Sequence, residues 1–114
     1  MKSSCILIVE DEAAKAEPFE TYLTQKGYFP LVYMDGASAS EDIENGLLYD
    51  LALFDLALPY HDGIDLLRLS KELHPDIAVL TMSAYDFSHE LSQRHFKKPF
   101  RLEELLRGIQ NIIT

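Results

Sequence analysis

Cysteine, basic charge and long apolar runs are all scarce in this chain, and each shortage excludes a class of protein. Cys5 is the only cysteine among 114 residues, so no intrachain disulfide can form, and its place at the start of an apolar run predicts a small buried hydrophobe. The formal net charge of −9 argues against non-specific nucleic-acid binding by this domain. No apolar run approaches the roughly 18 residues that a membrane-spanning helix needs, so we expect no membrane association.

Targeting segments, internal repeats, low-complexity tracts and interdomain linkers are also missing from the sequence pattern. The N-terminus has Lys2 but no long apolar stretch, so it is not typical of a signal peptide. With 47% hydrophobic and 25% charged residues, the composition is that of an ordinary globular chain, and its length suits one domain. We therefore expect a single domain over residues 1–114 and a cytoplasmic location.

Short apolar runs are what the sequence does contain. The clearest are nearly uninterrupted, as expected of parallel strands buried on both faces. They cover residues 5–9, 51–54 and 77–82. Residues 28–33 are a weaker candidate, because Pro30 cannot donate to a strand ladder, so this strand should lie at an edge or be irregular there. A short run at residues 95–97 completes five predicted strands.

Stretches with helical patterns lie between these runs. They cover residues 12–26, 37–45, 64–73 and 102–113. The last is the clearest, because its apolar residues follow an i, i+3, i+4, i+7 stripe after Pro99. Pro18 lies inside the first helix and should kink or restart it. Only eleven residues, 84–94, join the fourth and fifth strands, so any helix there has one or two turns.

The alternation of strands and helices predicts a single doubly wound α/β fold with a five-stranded parallel sheet. Polar groups follow four of the predicted strands. They are the acid cluster Glu10-Asp11-Glu12, Asp55, Ser83 and Lys98. Carboxyl ends of parallel strands meet at one edge of a sheet, where such folds bind ligands, so we expect these groups to converge. Carboxylates, a hydroxyl and an ammonium at one edge suit a divalent metal and a phosphoryl group.

The acid cluster after the first strand has two explanations. Taken alone, Glu10 and Asp11 fit the start of a helix, which favours acidic side chains. Adjacent acids directly after a buried strand, however, resist full ionisation unless a cation joins them. Magnesium prefers hard oxygen ligands and is usually held by one or two carboxylates plus phosphate. We therefore expect a magnesium site formed by Glu10, Asp11, Asp55 and the backbone carbonyl of Ala57.

The other three groups also have structural alternatives. Asp55 can cap the next turn, but a strand-end carboxylate can also take a phosphoryl group as an aspartyl phosphate. Ser83 can satisfy a strand-end backbone group, and Lys98 can be a solvated lysine with Lys97 as its competitor. Strand alternation and the extended backbone imposed by Pro99 favour Lys98 as the lysine at the sheet edge. A lysine serves phosphate well as a mobile point charge.

Over its whole length the chain resembles the receiver domain of two-component response regulators. The matching motifs are Glu10-Asp11, Phe54-Asp55-Leu56-Ala57-Leu58-Pro59, Ser83-Ala84-Tyr85 and Lys98-Pro99-Phe100. The resemblance implies a flavodoxin-like fold with sheet order 2-1-3-4-5 and Mg²⁺ bound by the acidic pair. It also implies that Asp55 is phosphorylated by a histidine kinase or phosphotransfer protein, with Ser83 and Lys98 acting on the phosphoryl group. The protein is then a phosphorelay component with self-catalysed phosphoryl transfer and autodephosphorylation only, and not a conventional enzyme.

Two departures from the family pattern predict an altered output surface. His95 stands where the family places a Tyr or Phe switch residue, and the fourth helix is predicted to be shortened.

A haloacid-dehalogenase-type phosphatase would need a second acid two residues after Asp55, where this chain has Ala57. The remaining alternative is a non-phosphorylated pseudo-receiver that acts as a protein-interaction module. Because the chain holds no effector domain, we expect an output partner or a longer protein around it.

Overall fold

A five-stranded parallel sheet forms the centre of the fold in the computed structural model, which describes residues 3–58 and 61–113. The elements in chain order are β1 (Cys5–Val9), α1 (Ala13–Gln25), β2 (Phe29–Tyr33), α2 (Gly36–Glu44), β3 (Leu51–Asp55), β4 (Ala57–Leu58), β5 (His61–Asp62), α3 (Gly63–Leu73), β6 (Ala78–Ser83), β7 (Arg94–Lys97) and α4 (Leu102–Ile112). The sheet order is β2-β1-β3-β6-β7, with every neighbouring pair parallel. β6 and β7 are the fourth and fifth strands of this sheet in chain order, so the predicted order 2-1-3-4-5 is confirmed. β4 and β5 form a separate two-stranded antiparallel pair.

Two apolar cores cover the two faces of the sheet, because alternate residues of each strand point to opposite sides. Ile6 and Ile8 of β1 belong to the core shared with α1 and α4. Leu7 and Val9 of the same strand belong to the core shared with α2 and α3. The central strands β3 and β6 are buried along their whole length, as their continuous apolar sequences predict. Pro30 lies in the edge strand β2, where a missing backbone donor costs no ladder bond on the open side.

The first helix does not restart at Pro18. It is continuous from Ala13 to Gln25, with Pro18 inside it. A proline in a helix interior costs about 3 kcal/mol. Burial of Phe19 and Leu23 against the sheet offsets this cost, since each large apolar side chain contributes about 1.5–3 kcal/mol when removed from water. Gly27, with φ of 91°, follows the helix end in the left-handed conformation that glycine permits.

The predicted short helix between the fourth and fifth strands is not formed, and this part of the prediction was wrong. Residues 84–93 run as bends, turns and irregular chain between β6 and β7. The register pairs Leu80 with Arg94, so the chain must return about three strand residues, roughly 10 Å, and cross to the next strand. The ten residues of this connection must reverse the chain direction at both ends. Too few residues then remain for a helix long enough to be stable. The surface beside β7 is therefore irregular chain on one side and α4 on the other.

Few backbone hydrogen bonds support this connection. Within the described chain, its backbone-to-backbone bonds run from Ser92 N–H to the His89 carbonyl and from Gln93 N–H to the Val79 carbonyl. We therefore expect the amides of residues 84–91 to exchange hydrogen faster than those of β6, because exposed, weakly bonded segments open locally. Hydrogen-exchange mass spectrometry checks this. Protection of residues 84–91 equal to that of α3 would contradict it.

The helices are too short and too polar to serve as membrane spans. Across residues 3–58 and 61–113, none has the length and apolar character needed to cross a bilayer.

Candidate functional site

The carboxyl edge of the sheet brings together polar groups that lie far apart in the sequence. The Lys98 ammonium donates to Asp55 Oδ2 at 2.7 Å and to Glu10 Oε1 at 3.0 Å. Ser83 ends β6, which lies between β3 and β7 in the sheet, and its carbonyl accepts from the Lys98 backbone N–H at 2.7 Å. The expected convergence therefore occurs, because β1, β3 and β6 end at the same edge and the chain leaves β7 directly beside them.

Three carboxylates at this edge form a group that can hold a cation. One oxygen each from Glu10, Asp11 and Asp55 lies within 4.8 Å of the others. Glu10 is fully buried and Asp55 is only 3% exposed, so neither is a solvated helix-start acid. The helix begins later, at Ala13, and Glu12 makes no side-chain cap to it. Hard carboxylate oxygens clustered in this way fit Mg²⁺.

The ionisation of the site reflects a balance between burial and pairing. Burial raises the pKa of Glu10 and the charge of Asp55 raises it further, while the hydrogen bond from Lys98 lowers it, and the net pKa is raised. Burial opposes the charged form of Lys98, but its bonds to Asp55 and Glu10 outweigh burial and raise its pKa. Lys98 is therefore charged at neutral pH, and the burial of Glu10 favours the protonated form of its carboxyl.

Backbone groups fix the position of the Asp55 carboxylate. The Ala57 N–H donates to Asp55 Oδ1 at 2.9 Å, and the Leu56 N–H donates to the Met82 carbonyl at 2.9 Å. Gly63 packs directly behind this turn, where an added Cβ would collide with the backbone of Asp55 and Leu56. The carboxylate is thus held from two sides, by the Ala57 amide on one oxygen and by Lys98 on the other.

Ser83 and His95 contact each other directly. The Ser83 hydroxyl donates to the Tyr85 carbonyl at 2.9 Å, and the Tyr85 N–H donates back to Ser83 Oγ at 3.2 Å. His95 Nε2 lies 3.0 Å from Ser83 Oγ and 2.9 Å from the Tyr85 carbonyl. Its Nδ1 lies 2.8 Å from Thr81 Oγ1. The predicted switch residue is therefore tied by hydrogen bonds to the predicted phosphoryl-binding hydroxyl.

The two neighbouring lysines have different surroundings. Lys97 points away from the site and forms an exposed pair with Asp86 at 3.6 Å. Lys98 has a side chain only 18% exposed and lies between the two buried acids. The structure thus places Lys98 in the site and Lys97 on the surface.

Some features of the site were not visible in the sequence pattern. Thr81 lies within the apolar run at residues 77–82, and as a hydroxyl residue two positions before Ser83 it must share Ser83's side of the strand. The close approach of Gly63 to the backbone of Asp55 and Leu56 also has no signal in the sequence pattern. The structure shows the Ala57 amide bonded to Asp55, whereas a metal-binding role for its carbonyl stays a prediction. Pro59 of the predicted motif lies outside the described residues.

Comparisons with known proteins point to one family. A family model described as the response regulator receiver domain matches residues 6–110. The transcriptional regulatory protein DltR of Streptococcus agalactiae is 34% identical over 112 residues, which cover 92% of this chain and 50% of DltR. The luminescence regulatory protein LuxO of Vibrio campbellii is 37% identical over 113 residues, which cover 93% of this chain and 25% of LuxO. The chain thus spans about half the length of DltR and a quarter of LuxO.

A solved structure extends the likeness to three dimensions. The receiver domain of a sensor histidine kinase from Pseudomonas aeruginosa matches with a TM-score of 0.86 at 26% identity, covering 98% of each chain. In that protein a magnesium ion is coordinated in the active-site cleft. The sheet and its helices are therefore shared across the full length compared.

Proposed function

Because this chain belongs to the response regulator receiver domain family, we propose that it is the phospho-acceptor domain of a two-component phosphorelay. Asp55 takes a phosphoryl group from a histidine kinase or phosphotransfer protein. The observation that carries the proposal is the buried Asp55 carboxylate, bonded to Lys98 at 2.7 Å and clustered with Glu10 and Asp11. An isolated structural carboxylate would not need a second and third acid beside it.

The transfer forms one bond and breaks one. An Asp55 carboxylate oxygen attacks the phosphorus, the bond from phosphorus to the donor histidine nitrogen breaks, and that nitrogen keeps the electron pair. The Ala57 amide and Lys98 hold the carboxylate in place for this attack, which reduces the orientational cost of the step. Lys98 can follow the phosphoryl group because its ammonium is a mobile point charge at the end of a flexible stem.

A bound Mg²⁺ would be held by Glu10, Asp11, Asp55 and the Ala57 carbonyl. It would supply positive charge against the negative charge of the phosphoryl group. The protein's own residues do the remaining work. The Ser83 hydroxyl donates to a phosphoryl oxygen, and the burial of Glu10 and Asp55 restricts the access of water to the acyl phosphate and so slows its hydrolysis without preventing it.

An apolar groove beside the acceptor fits a protein donor better than a small molecule alone. A cavity of about 520 Å³ adjoins Lys98 and Glu10, with Pro18, Phe19 and Phe100 among its lining residues. Its apolar lining favours contact with an apolar helix face of the donor. The groove therefore supports a protein as phosphoryl donor.

The alternatives are less favoured by the same geometry. A non-phosphorylated pseudo-receiver would not need acceptor, acid cluster and lysine in mutual contact, as they are here. A phosphatase of the haloacid-dehalogenase type would need a general acid two residues after Asp55, and the side chain there is alanine.

We also propose a cytoplasmic location and output through a protein partner or a domain outside this chain.

Incubation with Mg²⁺ and a small-molecule phosphodonor tests the proposed function. We expect intact-mass spectrometry to show the addition of one phosphoryl group, and no addition when a chelator removes the metal. The phosphoryl group should then be lost spontaneously, since an acyl phosphate is labile to water. A chain that gains no phosphate from either a small donor or a phosphorylated histidine kinase would contradict the proposal and favour the pseudo-receiver.

Magnesium should also stabilise the fold in the absence of phosphate. The three acids repel one another, and a ligand that binds only the native state adds RT ln(1 + [L]/Kd), about 2.7 kcal/mol at a concentration of 100 Kd. We expect the melting temperature to rise with MgCl₂ and not with NaCl of matched ionic strength. Asp11→Asn should lose most of this rise, whereas the control Glu12→Gln should keep it, because Glu12 lies outside the three-acid cluster. Equal effects of the two salts would count against the metal site.

A further inference from the structure

Both nitrogens of the His95 ring are engaged by groups from β6 and the loop that follows it. Nδ1 faces Thr81 Oγ1 at 2.8 Å, while Nε2 faces the Tyr85 carbonyl at 2.9 Å and Ser83 Oγ at 3.0 Å. Thr81 Oγ1 is in turn 2.8 Å from Ser92 Oγ. A phenyl or phenol ring at position 95 could not bridge two hydroxyls and a carbonyl in this way. The imidazole is therefore a structural link between the strand and its loop.

The chemistry of these partners assigns the protons. A carbonyl oxygen only accepts, so the nitrogen that faces Tyr85 must carry the hydrogen, which makes the ring an Nε2–H tautomer. In a neutral ring Nδ1 then accepts from the Thr81 hydroxyl. The Ser83 hydroxyl has one proton, and it is donated to the same Tyr85 carbonyl at 2.9 Å. In this arrangement Ser83 has no proton left to offer to a phosphoryl group on Asp55.

The surroundings of the ring provide no competing ion pair. Among the described residues no carboxylate pairs with His95, since Asp86 pairs with Lys97. The Phe87 ring packs against the imidazole with centroids 5.3 Å apart, and the His89 ring stacks on Phe87 with centroids 6.1 Å apart. The hydroxyls and the carbonyl are therefore the groups that position the imidazole.

We infer that His95 is a positioning residue that holds the Ser83 hydroxyl and the Tyr85 carbonyl in a resting arrangement, which competes with capture of the phosphoryl group. This inference rests on the proposed function, because Ser83 must turn from the Tyr85 carbonyl to a phosphoryl oxygen. The Nε2–H of His95 draws the Tyr85 carbonyl toward Ser83 and so strengthens the resting state. Phosphoryl binding must break this arrangement before Ser83 can donate.

A double-mutant cycle between positions 95 and 83 tests the inference. Beryllofluoride with Mg²⁺ serves as the phosphoryl mimic, and its affinity is measured in the unsubstituted protein and in His95→Phe, His95→Gln, Ser83→Ala and the double variant His95→Phe with Ser83→Ala. We expect His95→Phe to bind the mimic about 3- to 10-fold more tightly, the range for loss of one neutral hydrogen bond from the resting state. His95→Gln keeps a side-chain N–H donor and should stay near the unsubstituted protein. In the Ser83→Ala background the effect of His95→Phe should disappear.

Nitrogen NMR of the unsubstituted protein gives a second measurement that needs no variant. We expect the His95 ring to be the Nε2–H tautomer at rest and its Nε2 resonance to move when the mimic binds, because Ser83 leaves it. An Nδ1–H tautomer, an unmoved resonance, or an equal effect of His95→Phe with and without Ser83 would overturn the inference. If the unsubstituted protein fails to bind the mimic, the proposed function fails and the inference with it. If it binds and the two substitutions are additive, the inference alone is wrong.

Discussion

Replacement of Asp55 by asparagine should abolish phosphorylation. The amide has nearly the shape of the carboxylate, and its oxygen can still accept from the Ala57 N–H, so the local turn should persist. An amide oxygen is, however, a far weaker nucleophile than a carboxylate, and no acyl phosphate forms on it. We expect intact-mass spectrometry after incubation with Mg²⁺ and phosphodonor to show no added phosphoryl group, with a circular dichroism spectrum like that of the unsubstituted protein.

Asp62→Asn is the matched control for this experiment. Asp62 is another carboxylate at the start of α3, and its side chain accepts from the Ile64 N–H at 2.9 Å. Asparagine is as good a helix cap as aspartate, so the fold should be preserved. This variant should be labelled as fully as the unsubstituted protein. Labelling that survives in Asp55→Asn, or that disappears in Asp62→Asn, would move the acceptor away from Asp55.

Replacement of Lys98 by methionine should lower the free energy of unfolding far more than replacement of the neighbouring Lys97. Lys98 is the cation shared by Glu10, which is fully buried, and Asp55, which is 3% exposed. Methionine fills similar space without charge, so both acids would lose their partner. Removing one member of a buried ion pair typically costs about 3–5 kcal/mol, because an uncompensated charge stays buried. Urea unfolding at neutral pH measures this difference.

The exposed lysine next to it is the control. Lys97→Met removes a pair with Asp86 in which the side chains are 56% and 90% exposed, so its cost should be within about 1 kcal/mol. If the two substitutions destabilise the protein equally, the contacts of Lys98 with the two acids contribute little. Magnesium should narrow the stability gap between Lys98→Met and the unsubstituted protein, because it replaces the missing positive charge. It should stabilise Lys97→Met only as much as it stabilises the unsubstituted protein, because that variant keeps the site intact.

The loss in Lys98→Met should also depend on pH. Burial raises the pKa of Glu10, and Lys98 lowers it more than the hydrogen bond from the Glu12 backbone N–H does. Without Lys98 the native state holds the Glu10 proton more tightly than the unfolded chain does. Stability then falls as pH rises from the ordinary range of a glutamate toward the raised pKa of the native state. The deficit of Lys98→Met should therefore be smallest at acid pH and largest near neutral pH.

The sheet could be predicted because its evidence is local. Central strands buried on both faces need continuous apolar residues, and β3 and β6 have them. Pro30 excluded a central position for its strand, which lies at the edge. The connection at residues 84–93 was the failure. Its length allowed a short helix, but whether one forms depends on the register of β6 and β7, which the sequence does not state.

In the candidate site, too, some features could be predicted from the sequence and others could not. Each acid, hydroxyl or lysine was predicted from its position at the end of an apolar run. The burial of Glu10 was not predicted, because an acid after a strand has the same local pattern whether it faces water or the protein interior. The roles of Thr81 and Ser92 beside His95 were also missed, since hydroxyl groups carry little signal until their neighbours in space are known.

The sequence by itself determined which residues end each strand, and therefore which chemical groups reach the ligand edge of the sheet. Only the tertiary structure decided which of those groups touch. Lys98 donates to Glu10, 88 residues away in the sequence, and to Asp55, 43 residues away. His95 forms hydrogen bonds with Thr81, Ser83 and the Tyr85 carbonyl. The physical reason is range. Apolar periodicity acts within a few residues, whereas a hydrogen bond between distant residues depends on strand register and packing of the whole core.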